Sequence, residues 1–143
     1  MFKINKNHLS IIYLIIVLYS VFLTPNRLIN NYNKQLNFIP FQKIVVFVQS
    51  QNKSDFWNSF LFLMEICGNI ILFVPFYFSI QKIFKDQISI NAALMAAVLF
   101  SVFIESTQYL LNVGNADIDD VVLNTFGTMA GILFYKIANN KNI

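Results

Sequence analysis

The sequence predicts an all-α integral membrane protein, a single domain over residues 1–143 that forms a polytopic bundle of four transmembrane helices. The first reason is composition, since 57% of the residues are apolar and only 12% are charged, whereas a soluble domain carries about 25% charged residues. The second reason is the presence of four separate apolar runs, as expected for segments that cross a hydrocarbon core about 30 Å thick. The third is that the polar residues inside these runs recur at helical spacing.

The first apolar run is the shortest of the four. It spans about 24 Å at 1.5 Å per residue, so flanking residues have to extend it to cross the bilayer. A signal peptide is the rival interpretation because Lys3 and Lys6 precede the run, but no A-x-A-like cleavage site follows, which favours an uncleaved anchor. The predicted spans are 9–24, 56–80, 91–112 and 118–138.

The connection between the first two spans is long and mostly polar, from Pro25 to Asp55. It contains the segment 37–41 (NFIPF) and then an apolar piece at 44–48. That piece is too short to cross a bilayer, so we expect a short segment that lies in the interface or re-enters the membrane. The later connections are short, a loop at 81–90 and a tight turn at 113–117.

Three side chains of the second span carry separate predictions. Trp57 and Tyr77 are expected to anchor the helix at the membrane interface, where amphipathic aromatic rings are enriched. Cys67 is the only cysteine of the chain, so no disulfide can form within it. Its apolar neighbours in the sequence predict a small buried side chain.

The positive charges predict the orientation in the membrane. The net charge is +3, but the cations are scattered and form no single basic face, so nucleic acid is not an expected partner. More cations fall on the side of the two termini than on the other side, which favours a multi-pass protein of the cell membrane with cytoplasmic termini. On the side of the termini lie Lys3, Lys6, Lys82, Lys85, Lys136 and Lys141, and on the other side Arg27, Lys34, Lys43 and Lys53.

Polar residues within the spans predict a pocket. A carboxylate near the centre of a bilayer costs about 2.5–3.5 kcal/mol on insertion scales, so each one needs a reason to be there. Because spans two, three and four alternate in direction, their polar residues fall in the half of the membrane next to the first and third loops. This half faces outward when the termini are cytoplasmic. The candidate ligand-binding residues of this polar pocket are Asn37, Glu65, Asn69, Glu105, Gln108, Asp117, Asp119, Asp120 and Asn124.

A purely structural interpretation stays open beside the pocket. Asp117 has the residue type and position of an N-cap for the fourth span. The segment Gly127 to Gly131 is a small-xxx-small packing motif. Asn69 and Asn124 could serve only as hydrogen-bonding partners between helices. For Glu105 and Asp120 a functional role is favoured, since interhelical hydrogen bonding does not need a charge. For Glu65 the two interpretations are balanced.

The inventory of reactive side chains makes several enzyme classes hard to support. His8 is the only histidine and lies beside the membrane, which disfavours Ser-His proteases, His-ligated zinc proteases and phosphatases that use a phosphohistidine. Arg27 is the only arginine and lies in a loop, which leaves no bidentate phosphate clamp inside the bundle. No cofactor is evident. Glu105, Asp119 and Asp120 could still hold a divalent cation, and Glu105 and Asp120 are the candidate catalytic residues for acid-base chemistry.

Four segments of the sequence together resemble the VanZ-like family of small integral membrane proteins. They are 37–41 (NFIPF), 68–76 (GNIILFVPF), 104–108 (IESTQ) and 117–127 (DIDDVVLNTFG), and the resemblance covers roughly residues 9–136. One departure is Tyr77, where the family pattern usually has Gly. The resemblance implies the four-span architecture. It also implies a link to resistance against teicoplanin, a lipid-tailed glycopeptide antibiotic, because that is what the family's namesake is known for.

Three functions stay open at this point. In the first, a non-enzymatic protein engages a membrane lipid or a lipid-linked cell-envelope precursor in the polar pocket and thereby changes susceptibility to teicoplanin. In the second, a membrane enzyme acts on a lipid-linked substrate, with Glu105 and Asp120 as acid-base groups or metal ligands. In the third, the two intramembrane glutamates serve a proton-coupled transporter, which four spans would support only as a homo-oligomer.

Overall fold

The computed structural model describes residues 6–22, 36–50 and 56–139, and in this part of the chain the fold is all-α apart from two very short strands. Three of the helices are long and two are short. In chain order the elements are α1 (Lys6–Phe22), β1 (Leu36–Asn37), α2 (Gln42–Ser50), α3 (Phe56–Ile83), α4 (Ile90–Leu111), β2 (Ala116–Asp117) and α5 (Ile118–Ala138).

The three later spans are confirmed as helices. Helices α3, α4 and α5 are long and apolar enough to cross a membrane. Helix α3 continues to Ile83, three residues beyond its predicted end, while α5 has the predicted bounds. The first span forms helix α1, whose apolar part is shorter than the other three, so its crossing of the membrane stays a prediction. Its predicted end at residue 24 lies outside the described residues.

The apolar piece after the first span forms helix α2, beside the first half of α3. The ring of Phe47 stacks on Phe62 with centroids 4.0 Å apart, and Lys43 forms an ion pair with Glu65. Because residue numbers rise along α2 while those of its partners fall, the two helices run in opposite directions. The position of α2 relative to the membrane stays a prediction.

The core of the bundle is a close packing of α3 against α5, which we call the α3–α5 seam and define by Ile70, Val74, Gly127 and Gly131. A Cβ atom at Gly127 would overlap the carbonyl oxygen of Ile70, and one at Gly131 would overlap that of Val74. Since both contacts step by four residues in the same direction, the two helices are parallel. The small-xxx-small packing predicted for this segment is confirmed.

Helix α1 packs against α3, and helix α4 packs mainly against α5. Tyr13 of α1 donates its hydroxyl to the carbonyl oxygen of Leu72, at 2.7 Å, and Val17 is fully buried in the same cluster as Phe73 and Phe76. Helix α4 begins at an N-cap, Ser89. The outward-facing side chains of the bundle are largely apolar, as expected for helices whose solvent is lipid.

Two predictions for the second span are wrong. Cys67 is exposed, because it lies on a face of α3 that no other described helix covers. Tyr77 is 4% exposed and packs edge-on against Tyr135, with ring centroids 5.2 Å apart, instead of anchoring at an interface.

Candidate functional site

The segment before α2 is attached to the segment before α5 by a pair of short parallel strands. Leu36 pairs with Ala116 and Asn37 with Asp117. The Asn37 side chain donates from Nδ2 to Asp117 Oδ1 at 2.9 Å, and its own Oδ1 accepts from the backbone N–H of Ile39 at 3.2 Å. Two of the predicted site residues, eighty positions apart in sequence, are therefore in direct contact.

The carboxylate of Asp119 caps the start of α2. It accepts hydrogen bonds from the backbone N–H groups of Phe41 and Lys43, two of the donors that a helix leaves unsatisfied at its N-terminus. The acid also suits the positive end of the helix dipole. Phe41 has a φ of 64°, a left-handed conformation that costs a residue with a Cβ about 1–2 kcal/mol. The contacts to Asp119 help to hold this turn.

Lys43 lies at the centre of the site, although its place in the sequence indicated only a positive charge that contributes to the topology. Its Nζ forms ion pairs with Glu65, with Asp117 Oδ2 at 2.9 Å and with Asp120 Oδ1 at 3.6 Å. We call these four residues the Lys43 cluster. The three carboxylates around the ammonium favour its charged form.

Asp117 joins the Lys43 cluster to α4 and α5. Its Oδ1 accepts from the backbone N–H of Asp119 at 2.9 Å, which confirms the predicted N-cap of α5. Its own backbone N–H donates to Glu105 Oε2 at 2.9 Å. The side chain of Asp117 is only 4% exposed, so its several partners are needed to offset the loss of water around a charge.

Two adjoining cavities meet at the Lys43 cluster. One is a polar cleft, and the other is an apolar groove. Lys43, Glu65 and Asp120 line both. The other residues of the polar cleft are Gln108, Gly114, Asn115 and Asp117, and those of the apolar groove are Phe41, Ile44, Phe62, Ile66, Asp119, Val122 and Leu123. The apolar groove and the polar cleft therefore share the ionic side chains of Lys43, Glu65 and Asp120.

Glu105 lies beside this arrangement and not in it. Its side chain is buried, and it lines a third cavity together with Asn37, Ser106 and Val121. Asp120 lines the first two cavities but not this one. The two candidate catalytic residues therefore border different cavities, which does not favour acid-base chemistry on one substrate. Their catalytic role stays a prediction.

The three amide side chains predicted within the spans, Gln108, Asn69 and Asn124, differ in their surroundings. Gln108 is buried, borders the polar cleft and donates to the carbonyl oxygen of Val21 in α1 at 3.2 Å. Asn69 and Asn124 border neither the polar cleft nor the apolar groove. Asn69 Nδ2 and Asn124 Oδ1 are buried without a hydrogen-bond partner among residues 6–22, 36–50 and 56–139.

The geometry of the acidic residues also bears on metal binding. Within the described part of the chain, no group of three or more His, Cys, Asp or Glu side chains is arranged to hold a metal ion. The space between the carboxylates of Glu65, Asp117 and Asp120 is taken by the ammonium of Lys43. A divalent cation stays a prediction, and the positive charge that the described residues place in the cluster is that of Lys43.

Comparison with known proteins gives two matches. The family model described as VanZ/LLP1 matches residues 10–139. Protein VanZ of Enterococcus faecium is 31% identical over 75 residues, which are 52% of this chain and 46% of that protein. The similarity therefore spans just under half the length of that relative. No solved structure matches the chain.

Proposed function

This chain belongs to the VanZ/LLP1 family and is a membrane protein, and we propose that it engages a lipid or lipid-linked molecule of the cell envelope in the two cavities around Lys43. The hydrocarbon chain of this amphiphile lies in the apolar groove and its headgroup in the polar cleft. The protein acts by binding, and catalysis is no part of the proposal.

The observation that carries the proposal is the junction of the two cavities. Lys43, Glu65 and Asp120 border an apolar space on one side and a polar space on the other. Small-molecule sites are mostly apolar concavities with a few convergent polar groups. An amphiphile satisfies both spaces at once, whereas a wholly polar solute would leave the apolar groove unfilled.

The proposal includes a topology in which four helices cross the membrane and α2 re-enters it. Helix α1 is 17 residues long, or about 26 Å, and it packs along α3 through Tyr13. Lys43, at the start of α2, contacts Glu65, which lies nine residues into α3, or about 14 Å from its start. The start of α2 is therefore as deep as Glu65. The polar cleft then opens outward and both termini are cytoplasmic.

A reporter fused after Ile143 tests the orientation. We expect a reporter that is active only in the cytoplasm to be active there, and one placed in the loop at 84–87 to behave in the same way. A reporter at 113–115 should be inactive. Activity at 113–115 with inactivity at the other two positions would contradict the outward-facing cleft.

Native mass spectrometry of the purified protein tests the binding itself. We expect the wild-type protein, released from a mild neutral detergent, to carry a co-purified amphiphile. Leu123→Trp fills the apolar groove and should abolish the bound mass. Leu133→Trp makes the same change on the same helix, at a side chain that is 61% exposed and outside the groove. That control should keep the bound mass.

The two variants also separate specific binding from carried-over lipid. Equal amounts of bound amphiphile in both tryptophan variants, at equal thermal stability, would mean that the lipid adheres to the outer surface of the bundle. That result would contradict the proposed site.

We propose further that occupancy of this site lowers the binding of teicoplanin to the cell surface. The support is membership of this family, whose namesake is linked to teicoplanin resistance, and the lipid tail that teicoplanin carries. Gram-positive cells that express the chain should bind less fluorescent teicoplanin than cells with an empty vector. The difference should vanish with Leu123→Trp and persist with Leu133→Trp at matched protein levels. Equal binding by all four strains would contradict this extension, and vancomycin run in parallel shows whether the lipid tail matters.

A further inference from the structure

The charges around the shared wall of the two cavities do not balance. One ammonium, that of Lys43, faces the three carboxylates of Glu65, Asp117 and Asp120. Among the residues that the structure describes, neither cavity is lined by any other Lys or Arg. The Lys43 cluster thus has a formal charge of −2, and this excess lies where the headgroup of a bound amphiphile would be.

Asp120 has the least complete set of partners in the cluster. Its Oδ1 is buried and has no hydrogen-bond partner in the described ranges. The distance from that atom to Lys43 Nζ is 3.6 Å, which is beyond a normal hydrogen bond. Asp120 borders both cavities and its side chain is 18% exposed, so a donor bound at the junction lies next to this side chain. Buried polar atoms without partners are rare in folded proteins and need an explanation.

Glu65 offers a second acceptor at the same junction. Its side chain is 47% exposed and its ion pair to Lys43 involves Oε1. The two carboxylates lie on different helices, α3 and α5, and border the polar cleft together. A headgroup that enters the cleft therefore meets two anionic side chains, and the ammonium of Lys43 is already held between three carboxylates.

We propose that the amphiphile carries a positively charged amine in its headgroup and that Glu65 and Asp120 bind this amine. This inference rests on the proposed function, because it names the headgroup chemistry of the same site. A headgroup with only a phosphate would bring a further negative charge next to an excess of carboxylates, and like charges brought together across a binding surface are unfavourable. An ammonium supplies a closer hydrogen-bond donor for Asp120 than Lys43 does and makes the site less negative.

A matched pair of lipids tests the proposal. Phosphatidylglycerol and lysyl-phosphatidylglycerol with the same acyl chains share the phosphate and the tails, and they differ in the lysyl group with its amines. The purified full-length protein in neutral detergent is mixed with both lipids at equal concentration, and the bound fractions are read from native mass spectra. We expect the lysyl lipid to be bound at least about tenfold more, which is the preference that one charge-assisted hydrogen bond gives.

Variants place the preference at the Lys43 cluster. Asp120→Asn removes one carboxylate and should reduce the preference to about twofold or less, and Glu65→Gln is a second variant for the case that Asp120→Asn does not fold. Asp86→Asn is the matched control because it removes a carboxylate in the loop between α3 and α4, about 27 Å along α3 from Glu65. The control should keep the full preference.

The outcomes distinguish the two levels of the proposal. Equal or tighter binding of phosphatidylglycerol, abolished by Leu123→Trp, would overturn the amine and leave the amphiphile site in place. A preference for the lysyl lipid of the same size in all variants would also overturn the proposal, since the amine would then bind to residues other than Glu65 and Asp120. Binding of neither lipid by the folded wild-type protein would contradict both the amine and the proposed function.

Discussion

The α3–α5 seam lies in the middle of one helix pair and the Lys43 cluster nearer its start, and the two are built in opposite ways. At the seam, Gly127 and Gly131 let the backbones approach until a single Cβ would overlap a carbonyl oxygen. At the cluster, the same two helices are separated by ionic side chains from α2, α3 and α5 and border two cavities.

Along α5, the seam residues therefore serve the stability of the bundle, and the residues of the Lys43 cluster serve the proposed binding. Close packing of backbones is a main source of helix association in lipid, where burial of apolar side chains gives little. Placing a charged side chain inside the bilayer costs free energy, so charged side chains within spans usually mark functional sites. We therefore expect changes at the seam to affect folding and changes at the cluster to affect binding.

The largest effect is expected at the seam. Gly127→Ala should lower the free energy of unfolding by about 1–3 kcal/mol or more, because the added Cβ overlaps the carbonyl oxygen of Ile70 and forces the helices apart. The measurement is the midpoint of thermal unfolding in detergent, followed by size-exclusion fluorescence.

Gly68→Ala is the matched control on the partner helix. A Cβ there meets nothing within 4 Å, so the change should be neutral or stabilising by up to about 1 kcal/mol through helix propensity. Equal destabilisation by the two substitutions would contradict the close approach at the seam.

The next effect is expected from Lys43→Met, which keeps an unbranched side chain up to Cε and removes the ammonium with its charge. The carboxylates of Asp117 and Asp120 would then repel each other without their counter-ion. Loss of one partner from a fully buried pair costs about 3–5 kcal/mol. Because the Lys43 side chain is 35% exposed, we expect a smaller loss of about 2 kcal/mol. If unfolding of Lys43→Met matched that of the wild type, Lys43 would not hold the cluster together.

A smaller and local effect is expected from Asp119→Ala. The substitution removes the acceptor for the N–H groups of Phe41 and Lys43, and loss of a helix cap costs about 1 kcal/mol. Hydrogen-deuterium exchange should rise in residues 42–50 and stay unchanged in α4. Asp119→Asn keeps one oxygen and should show an intermediate rise. Faster exchange throughout α3, α4 and α5 would mean that Asp119 supports the whole bundle.

The smallest effect is expected at the far end of the bundle. Tyr135 donates its hydroxyl to Asp86 Oδ1 at 2.7 Å, so Tyr135→Phe should cost about 0.5–1.5 kcal/mol. It should leave the bound amphiphile unchanged in native mass spectra, because neither residue borders the cavities. Loss of the amphiphile in this variant would show that the two ends are coupled.

The spans and the acidic residues could be predicted from sequence because each depends on a local pattern. Helix α5 has its predicted bounds, and the N-cap at Asp117 follows from residue type and position alone. The meeting of Asn37 with Asp117 is a long-range contact, and alternation of direction between spans was sufficient to place both residues on one side.

Two features could not be predicted from the sequence. One is the set of contacts that Lys43 makes, and the other is which face of α3 packs against other helices. Lys43 looked like any cation outside a span, and only its place two residues after Phe41 connected it to the site. Cys67 and Tyr77 lie in a helix that is apolar on all sides, so no periodicity distinguishes the face toward lipid from the face toward α5.

Photo-crosslinking of a lipid to the protein in a bilayer tests the amphiphile site at Lys43 most directly. A phospholipid with a diazirine in its acyl chain is reconstituted with the wild-type protein, and crosslinked peptides are mapped after illumination. We expect labelling to concentrate on Ile66, Val122 and Leu123 in the apolar groove. In Leu123→Trp this labelling should be lost, while labelling at Leu133 should remain. Labelling spread evenly over the exposed apolar side chains, with no excess in the groove, would contradict the amphiphile site at Lys43.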